Sequence, residues 1–145
     1  MADKQKLDTL YLDIAERVAE MSLAQRLKVG AIIVKNDNIV SMGWNGNPSG
    51  FDNCCEIQNP DGTLTTRPET IHAESNALMK LARSGGVGSL GATMYTSYSP
   101  CPECAKLIKQ AGIDRVVYKH QYRLTGGLDM LKSLGVTVEH LESTN

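Results

Sequence analysis

Residues 29–44 read VGAIIVKNDNIVSMGW, and this stretch sets the expected fold because it predicts a β-hairpin. Residues 29–34 are apolar and rich in β-branched side chains, and residues 39–44 form a second strand-like run. The polar turn Asn36-Asp37-Asn38 separates the two runs. Strands joined by so short a polar turn pair in antiparallel fashion, so we expect this hairpin to begin a sheet.

The segments on either side of the hairpin predict helices that alternate with strands. Before it, Leu7, Leu10, Ile14 and Val18 recur at spacings of three and four, which predicts a helix over residues 3–21 with Asp3 as its N-cap and this apolar stripe packed in the core. After it, the patterns predict helices over residues 72–83, 101–111 and 127–134 and strands over residues 92–97, 115–118 and 136–139. This order predicts one α/β domain over residues 1–145, with a mixed sheet and helices on both faces.

Residues 45–70 lack periodicity and contain many turn-forming residues, including Pro48, Pro60 and Pro68. A segment of this length without regular structure is unusual inside a compact domain, and such segments are commonly functional or mobile. We therefore expect a flexible functional loop over residues 45–70. The alternative is a tolerated surface insertion.

The composition is that of a globular protein with little net charge. The 145 residues are 41% hydrophobic and 21% charged, which excludes a disordered chain, a fibre and a disulfide-dense miniprotein. The net charge of −1 argues against a nucleic-acid partner, because polyanion binding needs a basic face. No apolar run reaches the roughly eighteen residues of a membrane span, and no signal peptide is recognisable. We therefore expect a cytoplasmic protein whose four cysteines are thiols or metal ligands.

Two short segments, His72-Ala73-Glu74 and Pro100-Cys101-Pro102-Glu103-Cys104, carry residues suited to metal chemistry. Cys101 and Cys104 stand three apart at the start of a predicted helix, so both thiols can reach one zinc ion. A helix N-terminus also lowers thiol pKa values, which favours thiolates. His72, at the start of the preceding predicted helix, can supply a neutral third ligand. Three protein ligands leave one position for water, as in catalytic zinc sites.

Glu74 adds a proton carrier to this ligand set. It stands two residues after His72 and faces a different direction, so it is predicted to act on the water rather than to bind the ion. Zinc lowers the pKa of such a water from 15.7 to roughly 7, and a neighbouring carboxylate can take its proton and pass it on. Two other interpretations stay open. A fourth ligand from Cys54 or Cys55 would make a structural zinc site, and the two helix cysteines could be a redox pair.

H-x-E combined with P-C-x-x-C is the known pattern of zinc deaminases. On these segments, on Gly43-Trp44-Asn45-Gly46-Asn47-Pro48-Ser49-Gly50 and on Lys28-Val29-Gly30-Ala31-Ile32-Ile33-Val34, the sequence resembles the zinc-dependent cytidine deaminase superfamily and, more narrowly, the deoxycytidylate (dCMP) deaminases. The resemblance covers roughly residues 5 to 140, which is the whole expected domain. It implies a three-layer α/β/α cytidine deaminase-like fold with a mixed five-stranded sheet.

The activity that this resemblance implies is hydrolytic deamination of dCMP to dUMP, a step in dTTP supply. One zinc ion would activate the water that attacks C4 of cytosine, while Glu74 protonates N3 and then the departing ammonia. The backbone N–H of Ala73 would bind the base carbonyl, and the backbone carbonyl of Ser99 would accept the amino group. Asn45 would hold the sugar 3′-hydroxyl.

The resemblance also implies phosphate binding, regulation and assembly. Arg26 and Tyr122 are the expected phosphate contacts, because a guanidinium fork suits a phosphate. Deoxycytidylate deaminases are commonly homo-hexamers, activated by dCTP with Mg²⁺ and inhibited by dTTP. The residues expected to border an effector site are Gly43, Asn45, Gly46 and Asp52.

Several functional alternatives stay open. The enzyme could deaminate dCTP as well as dCMP, or it could be another deaminase of the superfamily. An RNA-acting adenosine deaminase would need a basic surface, and a riboflavin-pathway or free-cytidine deaminase would lack the G-x-N-G loop. Outside enzymes, the domain could be a zinc-containing nucleotide-binding regulator, although such a protein has no need of Glu74.

Overall fold

The computed structural model describes residues 3–142. The helices in this range are α1 (Lys4–Ala19), α2 (Ala73–Ser84), α3 (Pro102–Gln110) and α4 (Gly126–Ser133). The strands are β1 (Gly30–Lys35), β2 (Asn38–Trp44), β3 (Glu56–Gln58), β4 (Leu64–Thr66), β5 (Thr93–Tyr98), β6 (Arg115–His120) and β7 (Thr137–His140). Each helix and strand predicted from the sequence is present. In this range no helix combines the length and apolarity that a bilayer crossing requires.

The predicted hairpin lies at one edge of a mixed five-stranded sheet of order β2-β1-β5-β6-β7. β1 and β2 are antiparallel, and the two residues between them, Asn36 and Asp37, have positive φ angles of 51° and 60°. Asn and Asp tolerate this left-handed region better than other non-glycine residues, so the turn can be only two residues long. β1 is also antiparallel to β5, whereas β5, β6 and β7 run parallel through crossover helices.

Alternating side chains along the strands fill two cores, one on each face of the sheet. Ile33 and Met94 pack with buried residues of α2, α3 and α4. Ile32 and Val117 pack on the other face, against α1. The period of two along each strand thus produces three layers, and the predicted fold class, a mixed sheet with helices on both faces, is confirmed.

The buried face of α1 differs from the predicted stripe at one position. Asp3 caps the helix as predicted, because its side chain accepts hydrogen bonds from the backbone N–H groups of Gln5 and Lys6. Leu10, in contrast, is 51% exposed, so its assignment to the core was wrong. It lies off the face formed by the buried residues of the helix, which are Asp8, Tyr11, Leu12, Ala15, Val18 and Ala19.

Residues 45–70 contain regular structure that the sequence did not predict. β3 and β4 form an antiparallel pair, and the side chain of Asn59 donates hydrogen bonds to the hydroxyls of Thr63 and Thr65 across the turn. The expectation of a segment without regular structure is therefore wrong for residues 56–66. Strands of three residues are too short to show a period of two, and polar side chains rather than apolar alternation stabilise this turn.

A close contact between β2 and α2 fixes the first turn of that helix. A Cβ atom on Gly43 would lie 2.6 Å from the carbonyl oxygen of Ala73 and closer still to the backbone nitrogen of Ala77. Only glycine permits this approach. The strand therefore holds the helix end that carries the His72-Ala73-Glu74 segment.

Candidate functional site

Two helix N-termini bring the three predicted metal ligands together. His72 is the N-cap of α2, Cys101 is the N-cap of α3, and Cys104 lies in the first turn of α3. Nδ1 of His72 is 3.3 Å from Sγ of Cys104 and 3.4 Å from Sγ of Cys101. Nitrogen and sulfur ligands of a tetrahedral zinc ion are about 3.6 Å apart, so this set fits zinc. Elsewhere in residues 3–142, no three His, Cys, Asp or Glu ligand atoms cluster in this way.

The other two cysteines do not join this group. Cys54 is exposed, and its thiol donates a hydrogen bond to the carbonyl oxygen of Glu56. Cys55 is buried, and its Sγ lies 3.7 Å from the carbonyl oxygen of Asn53. Among the described residues the candidate metal group therefore contains three protein ligands, which is the number expected of a catalytic zinc centre.

Hydrogen bonds within the ligand set change the acidity of its members. The thiol of Cys104 donates to Cys101, which lowers the pKa of Cys101 to about 3 and raises the pKa of Cys104, because the two sulfurs share one negative charge. The neighbouring Cys101 raises the pKa of His72. A divalent cation replaces such shared protons, so both cysteines can serve as thiolates and His72 as a neutral ligand.

Glu74 is the buried acid of the site. It is only 4% exposed, and burial raises the pKa of its carboxyl group to about 7. The charge of His72 and the backbone N–H of Glu74 itself offset part of this effect. A carboxyl group that titrates near neutrality can both accept and donate a proton, as general acid–base catalysis requires.

A cavity of about 660 Å³ opens onto the metal ligands and Glu74. Cys101, His72 and Glu74 line it. It is lined as well by four of the five residues predicted to bind substrate, Arg26, Asn45, Ala73 and Tyr122, whereas the fifth, Ser99, is buried outside the lining. A cavity of this size can hold a nucleotide-sized ligand.

Cationic groups without carboxylate partners line this cavity. The guanidinium of Arg26 donates a hydrogen bond to the hydroxyl of Thr66 at 3.0 Å. Arg123, the residue after Tyr122, also lines the cavity. Across residues 3–142, the guanidinium group of neither arginine has a carboxylate oxygen within 4.0 Å. Both remain available to an anionic ligand.

A hydrogen bond links Ser99 to Tyr122. Ser99 is 1% exposed, and its Oγ accepts a hydrogen bond from the backbone N–H of Tyr122. The backbone N–H of Ser99 donates to the carbonyl of His120, at the end of β6. The ring of Tyr122 packs 5.2 Å from that of Tyr98, and burial raises its pKa, so its hydroxyl stays a hydrogen-bond donor.

Asn45 has a structural role that its sequence context did not reveal. Its Oδ1 accepts a hydrogen bond from the backbone N–H of Val29, and its Nδ2 donates to the carbonyl of Leu27. Both ends of the amide therefore stabilise the chain just before β1. A substrate hydroxyl would have to use the second lone pair or the second N–H of this amide.

The four residues expected to border an effector site have unequal access to a ligand. Gly43 is buried against α2. Gly46 forms a backbone bridge with Ile71, and Asp52 is exposed and pairs with Arg67 at 2.9 Å. The hydrogen bond from the N–H of Cys54, together with Arg67, lowers the pKa of Asp52. Effector binding stays a prediction for these positions.

Among the polar residues of the cavity that sequence reasoning missed are Glu56 and Thr66. Both belong to the β3–β4 pair, within the segment predicted to lack regular structure. Neither stands in a recognisable motif, so no local signal could have found them.

Comparison with known proteins gives concordant matches. The family model described as the cytidine and deoxycytidylate deaminase zinc-binding region matches residues 5–120. The deoxycytidylate deaminase of Enterobacteria phage T4 is 34% identical, over 92% of this chain and 89% of its own. The crystal structure of dCMP deaminase from cyanophage S-TIM5, in complex with dCMP and dUMP, is 45% identical with a TM-score of 0.89, and the match covers 97% of this chain and 100% of that one.

A more distant match is informative about the fold alone. The structure of a diaminohydroxyphosphoribosylaminopyrimidine deaminase/reductase from Thermotoga maritima has a TM-score of 0.72 at 21% identity, over 95% of this chain and 37% of that one. The three-layer arrangement predicted from the sequence is therefore shared with several deaminases.

Proposed function

Because the chain belongs to the cytidine and deoxycytidylate deaminase family, we propose that it is an enzyme that hydrolyses dCMP to dUMP and ammonia. The observation that carries this proposal is the combination, at one cavity, of a three-ligand metal group, a buried acid and two arginines whose guanidinium groups have no carboxylate partner within residues 3–142. The metal group and acid suit deamination of the base, and the arginines suit a 5′-phosphate. The similarity to the cyanophage enzyme solved with dCMP and dUMP supports the same substrate.

His72, Cys101 and Cys104 would hold one zinc ion. When bound there, zinc supplies a Lewis acid that brings the pKa of a water molecule close to neutrality. The ligands reach the cavity from helix N-termini, and the hydroxyl of Ser75 lies 3.5 Å from Sγ of Cys104, where it can support that thiolate.

Glu74 would move the protons of the reaction. Its carboxylate takes a proton from the attacking water and gives it to N3 of the cytosine ring. It then takes the second proton from the new hydroxyl group on C4 and gives it to the amino nitrogen, so that ammonia leaves. The burial of Glu74 suits this cycle because a carboxyl group with a pKa of about 7 exchanges protons readily at neutral pH.

Backbone and amide groups around Glu74 would orient the base and the sugar. Ala73 is at the first helical position of α2, where the backbone N–H has no partner within the helix and can donate to the base carbonyl. The carbonyl of Ser99 would accept the amino group, and Asn45 would hold the 3′-hydroxyl with its remaining hydrogen-bonding capacity. Arg26 and Tyr122 would bind the 5′-phosphate, with Arg123 nearby.

A substrate panel tests this proposal. Zinc-loaded protein should convert dCMP, followed as loss of cytosine absorbance, much faster than deoxycytidine, cytidine, cytosine or transfer RNA. Turnover of dCTP at a comparable rate would identify a bifunctional dCTP/dCMP deaminase. Absence of dCMP turnover, with and without dCTP, would overturn the proposal. If nucleotides still bound, a zinc-containing nucleotide-binding regulator would replace it.

The finer parts of the proposal rest on family membership. We propose that residues 1–145 act as one domain in a homo-hexamer, activated by dCTP with Mg²⁺, inhibited by dTTP and contributing to dTTP supply in the cytoplasm. The effectors would bind near Gly46 and Asp52, and their action would require two states of different nucleotide affinity. Sedimentation of the protein and dCMP saturation curves with each effector test these points: hyperbolic curves that no effector shifts would remove regulation from the proposal.

A further inference from the structure

Glu56 is a buried carboxylate that the proposed mechanism does not use. It is the first residue of β3, is 7% exposed, and lines the same cavity as Arg26 and Glu74. Its Oε2 accepts hydrogen bonds from the backbone N–H groups of Gln25 (2.9 Å) and Arg26 (3.1 Å). Charge-assisted bonds of this kind compensate the burial of a carboxylate, so they tie the backbone at residues 25–26 to the start of β3.

The residue opposite Glu56 in the hairpin binds the other end of Arg26. Thr66 of β4 is the cross-strand partner of Glu56. Its Oγ1 accepts a hydrogen bond from Nη1 of Arg26 at 3.0 Å. The arginine is thus held at its backbone by β3 and at its guanidinium by β4. The cross-strand pair Glu56–Thr66 therefore fixes both the backbone and the guanidinium group of Arg26.

The segment that carries Arg26 has no helix or strand of its own to hold it. Residues 20–29 connect α1 to β1 without regular structure. Side chains from elsewhere hold this segment, Asn45 at Leu27 and Val29, and Glu56 at Gln25 and Arg26. Without Glu56, the backbone N–H groups of Gln25 and Arg26 lose their hydrogen bonds to the β3–β4 hairpin.

Resting on the function proposed above, we propose that Glu56 is a positioning residue that, with Thr66, holds Arg26 in place for the 5′-phosphate. The β3–β4 hairpin then determines the preference for nucleotides over nucleosides. Glu56 acts through Arg26 and not on the substrate directly, because a carboxylate next to a phosphate would repel it and its Oε2 is engaged with the backbone.

Comparing dCMP with deoxycytidine, which lacks the phosphate, separates positioning from general folding. In the zinc-loaded full chain, Glu56→Ala should raise KM for dCMP about ten- to hundredfold, because charge-assisted hydrogen bonds contribute about that much to binding. The same variant should leave kcat/KM for deoxycytidine within about twofold of wild type. Glu56→Gln keeps an acceptor oxygen and should restore KM to within about threefold of wild type. Thr66→Val, which loses only the hydroxyl, should raise KM for dCMP by about three- to tenfold.

A double-mutant cycle tests the route of the effect. If Glu56 acts through Arg26, Glu56→Ala should add little to the loss of dCMP affinity caused by Arg26→Ala. Asp61→Ala is the matched control, because it removes a carboxylate that caps backbone in the turn of the same hairpin, at Thr63. It should change KM for neither substrate. Equal losses on dCMP and deoxycytidine, or additive losses in the double variant, would overturn the inference.

Binding measurements keep the inference testable if the proposed activity fails. Calorimetric affinities for dUMP and deoxyuridine, taken on the same variants, report phosphate recognition without turnover. Wild-type protein should prefer dUMP, and Glu56→Ala should lose most of that preference. If the wild-type protein binds both ligands but deaminates neither dCMP nor deoxycytidine, only the proposed function is overturned. If Glu56→Ala keeps the dUMP preference unchanged, only the positioning role is overturned.

Discussion

Two clusters of charged residues, each built around a buried carboxyl group, lie on opposite faces of the sheet, and they differ in how completely their charges are paired. On the α1 face, Arg115 forms two hydrogen bonds with Asp8 (2.9 and 2.6 Å) and two with Glu139 (2.7 and 3.0 Å). Tyr95 adds a further hydrogen bond to Asp8. At the metal centre, by contrast, no side chain in residues 3–142 donates a hydrogen bond to the buried carboxyl group of Glu74.

The pKa values of the buried carboxyl groups are therefore shifted in opposite directions in the two clusters. Burial raises the pKa of Glu74 to about 7, because its own backbone N–H and His72 compensate only part of the cost. Burial also raises the pKa of Asp8, but the hydrogen bonds from Arg115 and Tyr95 outweigh it, so the pKa of Asp8 lies below its ordinary value. A fully paired carboxylate contributes to folding, whereas a partly compensated one exchanges protons near neutral pH. The electrostatics of Glu74 thus suit proton transfer, and those of the Arg115 cluster suit stabilisation of the fold.

Replacing the acid of the metal centre should give the largest effect. Glu74→Gln should lower kcat for dCMP by about 10²- to 10⁴-fold, the usual contribution of a general acid–base group. Zinc content should not change, and the free energy of unfolding should stay equal or rise, because a neutral amide costs less to bury than a carboxylate.

The matched control for this variant is Glu103→Gln in the neighbouring P-C-P-E-C segment. Glu103 is exposed and, within residues 3–142, has Lys106 as its one ion-pair partner, at 3.1 Å, so its loss should leave kcat unchanged. Loss of zinc in Glu74→Gln, in proportion to the loss of activity, would instead place Glu74 among the ligands and remove the contrast between the two clusters.

Breaking the paired cluster should affect folding and not catalysis. Arg115→Leu leaves Asp8 without its cation and Glu139 with the more distant Lys4, at 4.0 Å, and should lower the free energy of unfolding by about 3–5 kcal/mol, measured by denaturant titration. Below the unfolding transition, kcat/KM should stay within about twofold of wild type, since none of the residues of the cluster lines the cavity. Arg17→Leu removes an exposed ion pair with Glu20 and should cost only about 0–1 kcal/mol. A parallel loss of kcat/KM in folded Arg115→Leu would show that the two clusters are coupled.

The sequence allowed the metal centre to be predicted much better than the paired cluster, and the reason is separation along the chain. Cys101 and Cys104 share one helical turn, and the turn at Asn36-Asp37 depends on the two residues that form it. Asp8 and Arg115 stand 107 residues apart, and only the packing of α1 against β6 brings them together. No local pattern records such a contact.

The missed parts of the cavity have the same origin. Arg26 was expected at the phosphate from the family resemblance alone, but its partner Thr66 is 40 residues away. Glu56 and Thr66 belong to strands of three residues, which show no periodicity. Leu10 was assigned to the core because its spacing fits a helical stripe, although tertiary packing selected a neighbouring face.

Acid should destabilise the Arg115 cluster, because the pKa of Asp8 is shifted down whereas that of Glu74 is shifted up. Because the pKa of Asp8 in the folded protein lies below the ordinary value of 3.8, its stabilising contribution is present above about pH 4 and is lost as pH falls through the folded pKa. Glu139, whose pKa Arg115 also lowers, acts in the same direction. Asp8→Asn should therefore be less stable than wild type by about 1–3 kcal/mol at pH 7, and this difference should shrink below pH 4. Both proteins keep the same metal ligands, so the difference between their unfolding free energies cancels the acid sensitivity of the thiolates. A difference that stays constant or widens between pH 7 and pH 3 would mean that Arg115 does not hold Asp8 in its charged form.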